Sequence, residues 1–160
     1  MMDDRAVSVA VTHTLTLGIT AILITAMLVA SGTMMDFERD RGASDSLETI
    51  GERLAGEVSS VDRLGSAQTE TLEIYTTHPR EIAGSPYTAT LTNQSQSDTC
   101  ADSGLTTSTE TCIVMESPEV SDPVVVPLAT DADVAQSSAG SGGMLIEYNA
   151  TADEITIDND

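Results

Sequence analysis

The chain has no lysine and no tryptophan, one phenylalanine, three tyrosines and two cysteines in 160 residues. Each shortage excludes something. The six basic residues are all arginine and face 26 acidic ones, for a net charge of −20. A phosphate-binding surface needs a basic patch, so nucleic-acid binding is disfavoured. With so few aromatic rings any β-rich domain has a thin core, and it gains from a disulfide and from helix packing. Cys100 and Cys112 have no nearby histidine or further cysteine to complete a zinc site. There is no phosphate-binding glycine loop and no Rossmann fingerprint. His78 stands before Pro79 in an expected loop with no obvious nucleophile partner. The carboxylate pairs Asp131/Asp133 and Asp153/Glu154 lack the ligand count and spacing of a calcium loop. No catalytic residues, no cofactor and no metal site are therefore expected.

Charge is also missing from one long run. Residues 6–35 hold no Asp, Glu, Lys or Arg, and no proline occurs before Pro79. As a helix this run reaches about 45 Å at roughly 1.5 Å per residue, while a bilayer core needs about 20 apolar residues. A membrane-spanning helix is expected over residues 7–35. Its threonines can bond back to carbonyls one turn earlier or reach a neighbouring helix. Gly18, Ala21 and Thr25 form a small-residue stripe that permits close helix–helix approach. A solitary anchor and a self-associating helix both fit. His13 is the one ionisable group in the run, and its place near the charged N-terminal end favours a structural or helix-contact role over proton transfer.

Three fates fit the segment. It is a cleaved secretory signal cut after Gly32, an uncleaved single-pass anchor, or a prepilin-type signal cut ahead of a retained helix. The apolar run is too long for a signal h-region and Met1-Met2-Asp3-Asp4-Arg5 is net acidic, which weighs against the first. Asp4-Arg5-Ala6-Val7-Ser8 before a long apolar helix resembles the start of archaeal, especially haloarchaeal, type IV pilins and pilin-like proteins. Val11 to Thr20 looks like an uncharacterised pilin-like group within them. The resemblance implies a leader of residues 1–6, recognised at Arg5, Ala6 and Val7 and cut by a prepilin-type peptidase between Ala6 and Val7. It departs from the pilins at Val9, where many have proline, and at Val11, where bacterial pilins have glutamate.

Beyond the span, residues 36–65 read as an amphipathic helix. Leu47, Ile50, Leu54, Val58, Val61 and Leu64 recur at helical spacing, and Gly65 is a plausible stop. Gly42, Gly51 and Gly56 weaken the expectation of an unbroken helix. The apolar face either lies on a sheet of the following domain or forms a seam with another copy. From residue 66 there are 16 acidic residues and only Arg80 as a base. Salt adaptation explains this better than cation binding, because screening at high salt suppresses carboxylate repulsion. High alanine, threonine and aspartate content agrees with a halophile.

Short apolar runs at Leu72–Tyr75, Tyr87–Leu91, Cys112–Met115, Val124–Val126, Met144–Tyr148 and Glu154–Ile157 read as about six strands, the last two as a hairpin. Residues 137–143, SSAGSGG, read as a flexible loop. The expected fold is α+β: a long N-terminal transmembrane and amphipathic helix, then a small antiparallel sheet or sandwich over residues 66–160. Outside the cell a Cys100–Cys112 disulfide is the default and stabilises by about 3 kcal/mol in the chain-entropy view; two free thiols are the alternative. Asn93-Gln94-Ser95 and Asn149-Ala150-Thr151 are N-glycosylation sequons. Cysteines, sequons and the prepilin-like start together set the N-terminus inside and the C-terminal domain outside. Two functions follow. One is a structural or accessory subunit of a surface filament, with membrane lipid and other pilin-like subunits as partners. The other is a stationary membrane-anchored ectodomain that binds a partner.

Overall fold

A computed structural model describes the backbone of residues 3–67, 71–102 and 111–160; the side chains of residues 3–10, Thr33, Asp36 and Asp102 lie outside that description. The protein is α+β. One helix, α1 (Asp3–Gly65), is followed by β1 (Leu72–Thr77), β2 (Thr88–Asn93), the short α2 (Asp98–Asp102), β3 (Thr111–Glu116) and β4 (Val124–Leu128), then β5 (Asp133–Val134), β6 (Ser137–Gly140), β7 (Gly143–Asn149) and β8 (Glu154–Asn159). Compact packing divides the chain into Met1–Glu38 and Arg39–Asp160.

In the larger unit the strands form two four-stranded sheets, ordered β1-β7-β8-β5 and β4-β3-β2-β6. All pairings are antiparallel except β5 with β8. Alternation dictates which face is inside. In β7 Met144, Ile146 and Tyr148 are buried, and in β8 Ile155 and Ile157 are. Ala43, Leu47, Ile50, Leu54, Val58 and Val61 of α1 join residues of both sheets in one core. The amphipathic face of the helix is therefore covered by this chain's own sheets. Leu64, expected on that face, is 54% exposed; the last turn instead seats Val61, Asp62 and Gly65 inward, with Gly65 against Tyr148.

The helix runs unbroken through Gly42, Gly51 and Gly56. Gly51 has a packing reason: a Cβ there would stand 2.7 Å from Val126 Cγ2 and 3.2 Å from Met115 Cγ. Glycine lets α1 lie close on β3 and β4. Gly65 is similar, since a Cβ there would run into the Tyr148 ring. Strand β3 is buried on both faces. Ile113 and Met115 face the main core, while Cys112 and Val114 form a second small cluster with Cys100 and Val125.

Residues 137–143 are not a flexible loop. Ser137–Gly140 is strand β6, paired with β2 from Leu91↔Ser137 to Thr88↔Gly140. Its small residues give no apolar alternation, so main-chain pairing and burial of Ala139 hold it in place. With β5 it raises the expected six strands to eight among the described residues.

Candidate functional site: the exposed apolar helix

Every described residue of α1 from 11 to 38 is exposed. Leu15, Ile22, Met27, Leu28 and Val29 are each about 60–70% exposed, as are Met34, Met35 and Phe37. A contiguous apolar surface of this size marks an interaction site with lipid or protein. Four of the hydroxyls on it are closed upon the helix itself. Thr16 donates to the carbonyl of Thr12, Thr20 to Thr16 and Thr25 to Ala21, at 2.8–2.9 Å, and Ser31 to Met27 at 2.8 Å. Each of these polar groups is satisfied one turn back, as an apolar surrounding requires. The helix is long and apolar enough to cross a membrane.

The small-residue stripe shapes this surface. Val11, Thr14, Leu15, Gly18, Ile19 and Ile22 line one shallow concavity. Ala21, Ile22, Thr25, Ala26, Val29 and Ala30 line the next. Gly18 thus lies in the first, Ala21 and Thr25 in the second, and Ile22 joins them. A Cβ on Gly18 would meet nothing within 4 Å. His13 is exposed on the same segment. The leader positions Arg5, Ala6 and Val7 have helical backbone, and their side chains lie outside the described residues.

In the larger unit Cys100 and Cys112 stand at disulfide-bonding distance, with Cα atoms 6.1 Å apart. The bond would pin α2 to β3 over the second apolar cluster. Asn93 ends β2 and Asn149 ends β7, each heading a turn. No group of three or more His, Cys, Asp or Glu side chains converges as metal ligands among the described residues.

Two buried polar anchors were not foreseen. His78 is buried beside the end of β1, and its Nε2 lies 3.0 Å from Glu57 Oε2 of α1. Thr76 donates to the same oxygen at 2.7 Å, and Arg53 Nε lies 3.0 Å from Glu57 Oε1. The helix spacing of Arg53 and Glu57 was readable as an i,i+4 pair; the His78 contact needs the fold, since 21 residues separate it from Glu57. This cluster ties β1 to α1. Nearby in the same unit, burial pushes the Tyr87 phenol up to about 12, with Arg53 opposing. The second anchor is Asp62, which is 3% exposed. Its carboxylate accepts from the backbone N–H groups of Asp131 at 2.9 Å and Ala132 at 3.0 Å, fastening the β4–β5 link to the helix.

No curated protein and no solved structure matches the chain. The family model of DUF7266 matches residues 2–159, nearly the full length, so the chain belongs to DUF7266, a family of unknown function.

Proposed function

We propose that this chain is a pilin-like structural or accessory subunit of an archaeal type IV pilus-type surface filament. Its N-terminal helix inserts in the membrane, its N-terminus lies in the cytoplasm, and the acidic β-rich unit lies outside in a high-salt medium. The observation that carries the reading is the bare apolar length of α1, four of whose hydroxyls are closed on its own carbonyls. Such a surface is satisfied in lipid, and equally in a bundle of similar helices. Gly18, Ala21 and Thr25 favour close approach of a second helix there. The start Arg5-Ala6-Val7 supports processing by a prepilin-type peptidase, which keeps the helix on the mature protein. The Cys100–Cys112 pair supports an oxidising exterior for the β-rich unit.

Shearing surface filaments from whole cells and probing both fractions tests the assignment. Recovery in the sheared filaments, alongside a membrane pool, is the expected result. Confinement to the membrane fraction would instead assign the chain to a stationary anchored ectodomain.

A further inference from the structure

Both sequon asparagines occupy the same structural position. Asn93 is the last residue of β2, and its Oδ1 accepts from the backbone N–H of Ser95 and of Gln96, each at 3.0 Å. Asn149 is the last residue of β7, and its Oδ1 accepts from the backbone N–H of Thr151 at 2.9 Å and of Ala152 at 3.2 Å. In each, the third sequon residue closes an Asx turn on the first. The turn fixes the amide oxygen, and Nδ2 makes no hydrogen bond among the described residues. The hydroxyl-bearing partners, Ser95 and Thr151, are exposed. Asn159, the third asparagine, also uses its Oδ1, to accept from Gly140 N at 2.7 Å.

Strand directions put the two sequons at one pole. Strand β2 starts at Thr88, paired with Gly140, and β7 starts at Gly143, just across the turn. Strand β6 is antiparallel to β2 and runs alongside β8, through Ser137 Oγ to Ile157 N and Gly140 N to Asn159 Oδ1. Because β8 is antiparallel to β7, β2 and β7 leave that turn in the same direction. Their ends, Asn93 and Asn149, lie about 17–20 Å beyond it at roughly 3.3 Å per residue. Gly65, where α1 ends, packs on Tyr148 at this same pole. Asp40 bonds Ser121, in the β3–β4 link, at the opposite one.

We infer that Asn93 and Asn149 are twin N-glycan acceptors at the pole where α1 ends. The donor class is a glycan carried on a membrane lipid phosphate. Nδ2 attacks the anomeric carbon, an N–C bond forms and Nδ2 loses one proton. The anomeric C–O bond breaks, and the lipid phosphate leaves with its electron pair. The inference rests on the exterior position proposed above for the β-rich unit.

The test uses the full chain made in its own host and purified from membranes. Peptides holding each asparagine are read by mass spectrometry, and an antibody against the Arg39–Asp160 unit is applied to intact cells. Labelling of intact cells with glycan on both asparagines is the expected result. Ser95→Ala and Thr151→Ala leave the backbone donors of each turn in place. Each should abolish the glycan at its own site only, while Thr151→Ser retains it. Labelled cells with either asparagine bare would overturn the twin-acceptor inference and leave the exterior reading standing. Glycan that persists in the alanine variants overturns the inference as well. Failure to label intact but not opened cells, with both sites bare, overturns both.

Discussion

Replacing Gly51 by alanine adds one methyl group at a close approach of α1 to β3 and β4. That carbon would lie 2.7 Å from Val126 Cγ2 and 3.2 Å from Met115 Cγ. Ordinary carbon–carbon contacts are about 3.5–4.0 Å. Roughly an ångström must therefore be found between a helix and a β-sheet whose contact residues, Met115 and Val126, are themselves nearly fully buried. Overpacking of this kind costs about 1–3 kcal/mol. Against it stands the better helix propensity of alanine, worth about 1 kcal/mol over glycine. The sum is a loss of about 0–2 kcal/mol. Gly56 supplies the control, because a Cβ there meets nothing within 4 Å. Gly56→Ala has only the propensity gain and should stabilise by about 1 kcal/mol. The two variants should thus differ by about 1–3 kcal/mol although the substitution is the same. Denaturant unfolding of the full chain in detergent, followed by circular dichroism at one fixed salt concentration, reads the difference. Equal stabilisation by both would refute the close seating of α1 on β3 and β4.

Asp62→Ala leaves two backbone N–H groups without their acceptor and should cost about 2–4 kcal/mol in the same unfolding assay; a loss under about 0.5 kcal/mol would show that this carboxylate does not anchor the β4–β5 link. Tyr87 gives an alkaline signature. Its folded-state value of about 12 lies above the ordinary 10.0, so the folded chain holds a proton that the unfolded chain releases. That contribution is complete below pH 10 and is lost as pH rises toward 12, amounting to about 2 kcal/mol after allowance for solvent screening. Tyr87→Phe should remove this part of the alkaline decline. Because the Tyr87 hydroxyl is buried with no hydrogen-bond partner among the described residues, the same variant should be neutral or more stable by about 1 kcal/mol near pH 7. An alkaline stability profile unchanged by Tyr87→Phe would contradict the shift.

The apolar segment was legible in the sequence because absence of charge over 30 residues needs no tertiary contact to interpret. The helix face was legible for a related reason: Leu47, Leu54, Val58 and Val61 repeat at the helical period and are fully buried. Strands with bulky alternation, such as β7, announced themselves; β6 did not, since Ser137, Ser138, Ala139 and Gly140 carry no period and owe their place to pairing with β2. Gly51 pointed the wrong way. Propensity treats a helical glycine as a weakness, while its use here depends on Val126, 75 positions later. Asp62 and His78 were hidden likewise. A buried carboxylate and a buried imidazole are recognised only by the groups that return to meet them, Asp131 and Ala132 in one case and Glu57 in the other.

The proposed role depends on the apolar helix remaining part of the mature protein with the leader removed. Mass spectrometry of the N-terminal peptide, taken from protein purified out of membranes, measures this directly. The pilin-like reading predicts a mature start at Val7. An intact start at Met1 or Met2 would contradict prepilin processing, and a start at Thr33 would contradict retention of the helix altogether.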